Sequence, residues 1–174
     1  WGKIYVWSMG TITVSAFAMV TLKWNLFLLL VGVFSGYLVY SGKRALARKK
    51  ATDPVTVWDK LAIALMIASG VGFITYGIQN LGIEKLAIVA MVFGGIAGFL
   101  GGVDAVRLVR PSTDPKAWWF QHMIRMLAAT IATVSAFSVV NFTFLPEVIR
   151  WLWPTVVGTV GITVWVTYYK AKFA

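Results

Sequence analysis

The chain's one histidine, His122, lies three residues before Arg125 and four before Met126. That spacing brings all three side chains to one side of an α-helix. Such a set can ligate a haem iron through the imidazole or hydrogen-bond a quinone carbonyl. The guanidinium would then neutralise a propionate, a carbonyl oxygen or a lipid phosphate. The competing reading has both basic side chains snorkel to the headgroups and meet Asp104, Asp114 or phosphate with no cofactor, and it is the expected one. Met126 cannot complete a haem site with His122, because two ligands one turn apart on one helix cannot reach opposite faces of a porphyrin. Other catalytic chemistry is not supported. Asp59 beside Lys60 and Glu84 beside Lys85 fall at span ends and read as boundary markers. There are no cysteines, no His/Asp/Glu group with metal-ligand spacing and no phosphate-cradling glycine loop. No catalytic and no metal residue is assigned, and an enzyme is not expected.

The element that must position this set is an apolar stretch of membrane length, 118–141, in a chain built almost entirely of such stretches. Of 174 residues, 59% are hydrophobic and 13% charged, against ~45–50% and ~25% in soluble domains. Apolar runs at 4–22, 26–41, 58–78, 85–103, 118–140 and 149–168 each approach the ~20 residues that cross a bilayer. The expected fold is all-α: a single domain over 1–174, an integral membrane bundle of six transmembrane helices with short loops. Polar or proline-bearing segments separate the spans, among them Lys23-Trp24-Asn25, Asp53-Pro54 and the connection holding Pro111 and Pro115.

The formal charge of +10 sits at span ends and not along one exposed face, which argues against a nucleic-acid partner. With six crossings, one side collects Lys3, Lys43, Arg44, Arg48, Lys49, Lys50, Lys60, Arg107, Arg110, Lys116, Lys170 and Lys172, and the other only Lys23, Lys85 and Arg150. The positive-inside rule then puts both termini in the cytoplasm, N-in/C-in, in a bacterial inner membrane. Arg44, Arg48, Lys49, Lys50, Arg107 and Arg110 are expected at lipid headgroups, and Trp and Tyr at span ends form the interfacial belt. Because the sequence starts at Trp1 without a signal-peptide pattern, a processed chain or a fragment of a longer reading frame is expected.

Small residues predict where helices approach. Gly94, Gly98 and Gly102 repeat at every fourth position of the fourth span, with Gly95 and Gly101 beside them, and Gly32 and Gly36 repeat the spacing in the second. The stripe beyond His122 continues as Ala129, Thr133 and Ala136, a face suited to a neighbouring helix or a flat ligand. Thr13-Val14-Ser15-Ala16-Phe17 recurs as Thr133-Val134-Ser135-Ala136-Phe137. A parallel duplication would leave that trace, and so would chance in an Ala/Val/Ser-rich chain.

Three segments resemble a bacterial family of multi-pass predicted membrane proteins known only as a domain of unknown function. They are Gly2-Lys3-Ile4-Tyr5-Val6 with Met9; Trp119 to Asn141, with Trp-x-x-His-x-x-x-Met leading into Ala-x-x-Ile-Ala-Thr-x-x-Ala-Phe; and Leu145-Pro146 with Trp151-Leu152-x-Pro154-Thr155. The resemblance implies a membrane fold without an assigned activity. It also implies a further helix and a His-Arg pair upstream of Gly2, outside this sequence. That histidine would stand at the depth of His122 and make a two-histidine haem b site between the first and fifth helices. From the residues present, the expected function is a non-catalytic accessory or scaffolding subunit packed against a larger, bioenergetic membrane complex, with lipids and protein chains as partners. The alternative is a haem- or quinone-binding redox protein using His122 and Arg125. A transporter ranks third, favoured by the recurrence alone.

Overall fold

The computed structural model describes residues 1–50 and 52–173. Among these there are six helices and no strand: α1 (Gly2–Leu22), α2 (Leu26–Ala47), α3 (Val57–Gln79), α4 (Leu86–Val109), α5 (Ala117–Asn141) and α6 (Glu147–Phe173). All six are long and apolar enough to cross a membrane. Two starts are fixed by side-chain caps. The Asn25 side chain accepts from the Leu28 amide at 3.0 Å, and Thr56 and Asp59 form a reciprocal capping box at the head of α3.

Several helices overrun the expected spans. α2 continues to Ala47 instead of stopping near position 41, because the residues after Gly42 are good helix formers, Ala45 is buried and Arg44 finds an acceptor in Asp59. α4 continues to Val109 because Asp104, a charge that hydropathy reads as a stop, is buried and partnered inside the bundle. α6 reaches Phe173, whose ring packs edge-on against Trp119 at 5.4 Å and Phe120 at 6.3 Å.

α2 lies in the middle, against α1, α3 and α5, while α3 pairs with α4 and α5 with α6. Its rings seed the core. Phe27, Phe34, Phe73, Phe93 and Trp151 form a linked cluster whose neighbouring centroids lie 5.3 to 6.0 Å apart, the separations at which aromatic pairs attract. Leu38, Met66 and Val89 are fully buried around it. The outer helices turn large apolar side chains outward, as with Val156, Val160 and Val164 on α6, which is the arrangement a lipid solvent permits.

α3 and α4 pack most closely, and small residues permit it. The buried face of α4 is Ala87, Ala90, Gly94, Ala97 and Gly101, alternating steps of three and four, and not the every-fourth-residue ladder of Gly94, Gly98 and Gly102. With 3.6 residues per turn, each four-residue step drifts about 40° around the axis, so the side-chain directions of that ladder turn away from α3, although the Gly98 backbone nitrogen still lies against Gly70. A Cβ on Gly94 would lie 2.6 Å from Ile74 Cγ1 and 2.9 Å from the Gly70 carbonyl oxygen, whereas a Cβ on Gly98 or Gly102 would meet nothing within 4 Å. On α2 the expected pair does line a contact, since Gly32 faces the Phe17 ring and Gly36 faces Thr13. The two like pentapeptides both lie on helices flanking α2, but Phe17 covers a glycine while Phe137 is largely exposed.

Gly94→Ala is therefore expected to destabilise the bundle by about 1–3 kcal/mol through overpacking against backbone. Gly98→Ala is expected to be neutral or slightly stabilising, since Ala is the better helix former by about 1 kcal/mol. Unfolding midpoints of the two variants in detergent check this difference in sign.

Candidate functional site

The end of the bundle where α2 and α4 finish and α3 and α5 begin carries two buried carboxylates. Asp104 of α4, 5% exposed, is reached from three helices. Arg125 of α5, 2% exposed, donates from Nη2 to Asp104 Oδ2 at 2.7 Å and to the Leu100 carbonyl at 3.3 Å. The Tyr37 hydroxyl of α2 donates to the same carboxylate oxygen. Gln121 Nε2 approaches Oδ1 at 3.3 Å, and Arg107 Nη1 stands 3.7 Å away. The Arg125 guanidinium lies 5.7 Å from the Tyr37 ring centroid, and its Nη1 has no hydrogen-bond partner among the described residues.

Asp59 of α3 forms the second centre. Arg44 of α2 grips it in a fork, Nε to Oδ1 and Nη2 to Oδ2, both at 2.7 Å. This bidentate geometry is the stronger form of the ion pair. The Tyr40 hydroxyl donates to Oδ1 at 2.9 Å, while the Thr56 amide and hydroxyl donate to Oδ2 at 2.8 and 2.9 Å. Each carboxylate is saturated with donors, so neither is a free general base.

His122 and Met126 both meet Gly42, whereas Arg125 meets Asp104. His122 Nδ1 lies 2.8 Å from the Gly42 carbonyl oxygen of α2, while Arg125 turns to α4. Met126 packs its methyl against Gly42, where any Cβ would collide with it. Its carbonyl accepts from the Tyr5 hydroxyl of α1 at 2.9 Å. The small-residue stripe separates as well: Ala129 is buried in the core, Thr133 donates to Met9 Sδ at 3.2 Å, and Ala136 is exposed. Asp59 pairs with Arg44 and not with its neighbour Lys60, and Glu84 accepts from the Tyr76 hydroxyl.

Between the two carboxylates lies a cavity of about 100 Å³, bordered by Tyr37, Tyr40, Arg44, Arg48, Lys49, Lys50, Asp104, Arg107, Trp118 and Gln121 among others. A second, more open cavity at the opposite end, bordered by Glu84, Lys85 and Glu147, has about 460 Å³. Neither is lined by His122 or Met126. Of the six cations expected at headgroups, Arg44 is held by Asp59, Arg107 leans toward Asp104, and Arg48, Lys49 and Lys50 border the first cavity. Arg110 is exposed outside it. Sequence reasoning placed Asp104 among the partners of Arg125 but missed Tyr37, Tyr40 and Gln121. A signal existed: Tyr37, Tyr40 and Arg44 recur at steps of three and four on α2, as do Asp104 and Arg107 on α4 and Gln121 and Arg125 on α5.

Arg125→Met is expected to cost about 3–5 kcal/mol, since it leaves a buried charge without its principal partner. The double change Asp104→Leu/Arg125→Met should recover most of that loss. Unfolding midpoints for the single and double variants measure the coupling; additive losses would show that the pair does not act as a unit.

In comparisons with known proteins, the chain matches no family model, no curated protein and no solved structure.

Proposed function

We propose that this chain is a non-catalytic integral membrane protein of the bacterial inner membrane, both termini cytoplasmic, that packs as an accessory subunit against another membrane protein. The observation that carries this reading is the open glycine face of α4. Gly95, Gly98 and Gly102 have nothing within 4 Å in the direction of a side chain, so the helix presents bare backbone outward at the packing distance small residues allow. The charged groups deeper in the bundle support the same reading, because Asp104, Arg125, Asp59 and Arg44 are engaged with one another's helices. The proposed partner is a transmembrane helix of a larger bioenergetic complex. Membership of the domain-of-unknown-function family, resembled by 2–6 with Met9, by 119–141 and by 145–155, belongs to this proposal. So does the positive-inside orientation, which places the cavity between the two carboxylates on the cytoplasmic side.

Bulky residues on the open face test it. Gly98→Leu/Gly102→Leu should leave the unfolding midpoint of the isolated protein within about 0.5 kcal/mol of wild type, as surface changes do, while abolishing copurification of the partner in mild detergent. A wild-type protein that runs as a lone monomer, or a variant that keeps its partner, would remove the basis of the proposal.

One observation favours a redox alternative. A hydrogen bond from His122 to the Gly42 carbonyl needs the proton on Nδ1, which in the neutral ring leaves Nε2 as the acceptor; metal-ligating histidines commonly donate their other ring N–H to a carbonyl in this way. Haem b or a quinone would bind there, with the remaining ligand supplied from outside the chain. The absorbance spectrum and quinone extract of the purified protein decide it. A Soret band lost in His122→Ala would support this alternative, and an absent band with no extracted quinone would dismiss it.

A further inference from the structure

We infer that the cavity between the two buried carboxylates binds a single phosphate group, carried by a lipid headgroup or by a soluble phosphate. Its walls hold five cations, Arg44, Arg48, Lys49, Lys50 and Arg107, against the three carboxylates of Asp59, Asp104 and Asp114. Two of the carboxylates are already matched by ion pairs, Asp59 by Arg44 and Asp104 by Arg125, while Asp114, which accepts the Lys116 amide at 2.8 Å, keeps its charge. With Arg107 drawn toward Asp104 at 3.7 Å, Arg48, Lys49 and Lys50 still outnumber the remaining charge of Asp114 around one volume, a surplus that an anion relieves.

An orphaned donor on a residue that borders the cavity points to the same ligand. Arg48 Nε is buried and has no hydrogen-bond partner among the described residues, a state that buried donors in folded proteins seldom occupy. Its planar guanidinium fork suits phosphate oxygens. Lys49 Nζ sits 4.8 Å from the Trp118 ring centroid, a cation–π contact that holds this ammonium beside the cavity. Ala117 and Trp118, the first two residues of α5, also border it, so the positive end of that helix adds to the attraction.

Size selects among anions. About 100 Å³ falls well below the roughly 300–1,000 Å³ of cofactor-sized pockets and matches the space of about three water molecules. One tetrahedral anion fills the cavity, and the remainder of any larger phosphate ester would lie outside it. The larger cavity at the other end sets Lys85 against Glu84 and Glu147 and has no such surplus. Of the six cations expected at headgroups, the phosphate would be held by Arg48, Lys49, Lys50 and Arg107, with Arg44 committed to Asp59.

The test uses two arms on the purified full chain. In neutral detergent, isotope-labelled inorganic phosphate is titrated by equilibrium binding. In phosphatidylcholine nanodiscs doped with phosphatidic acid, retained lipid is counted by native mass spectrometry. Saturable binding of one equivalent is expected in at least one arm; the first identifies a soluble source and the second a lipid. Arg48→Gln/Lys49→Gln/Arg107→Gln should weaken binding roughly tenfold or more, and Lys23→Gln/Lys60→Gln/Lys85→Gln, which removes equal charge outside the cavity, by less than about twofold. Wild-type protein that saturates in neither arm overturns the inference whether or not the variants fold. So does a control variant that loses binding as far as the cavity variant does.

Discussion

A carboxylate placed inside an apolar span must be matched where it stands, because neither water nor lipid will do it there. Asp104 is matched from α2 by Tyr37, from α5 by Arg125 and Gln121, and from its own helix by Arg107. Apolar helix faces in lipid have little to fix their height relative to one another, since lipid tails are as apolar as the side chains. A hydrogen bond at 2.7 Å does fix it. The Asp104 cluster thus sets the axial register of α2, α4 and α5 together. Arg44 and Asp59 set that of α2 and α3 by the same means.

α2 supplies residues to both centres, which explains its position and its length. Tyr37, Tyr40 and Arg44 recur at intervals of three and four, so that one edge of the helix delivers a hydroxyl to each carboxylate and a guanidinium to one. Had the helix ended at the first basic residue, Arg44 could not reach Asp59 in a bidentate fork. Away from this end the bundle is held by shape instead: a ring cluster around Phe27 and Trp151, and the close approach of α3 to α4 over Gly70 and Gly94. Polar contacts specify register at one end, and packing fills the remaining length.

The six helices were legible because hydropathy is a sum over some twenty residues and tolerates local error. Their ends were not, since a charge reads as a boundary until its partner is known, and the partners of Arg44 and Asp104 lie 15 and 21 residues away. The glycine face was half legible: glycine marked α4 as a close-packing helix, but residue identity alone does not tell which positions turn their side-chain direction toward α3, as Gly94 does, and which turn it outward, as Gly98 does. His122 and Arg125 show a similar limit. Three residues along a helix leave about 60° between two side chains, enough to aim one at the Gly42 carbonyl of α2 and the other at Asp104 of α4. Shared spacing identified a common side of α5 but not which neighbour each side chain would meet.

The same accounting of partners separates groups that hold the fold from groups left to act. Asp59, Asp104, Arg44 and the Nη2 of Arg125 are consumed in joining helices, so altering them disturbs register before it disturbs any ligand. Arg48, Lys49 and Lys50 meet no carboxylate within ion-pair distance among the described residues, and a Cβ on Gly98 or Gly102 meets nothing at all. Topology accounts for cations at this end of the bundle, but gathering unmatched ones around one cavity sets them against one another. A chain under selection only to fold would have little reason to keep glycine at helix positions where alanine fits and stabilises. Both features cost the isolated molecule stability; the proposed anion would relieve the first and the proposed neighbouring helix the second.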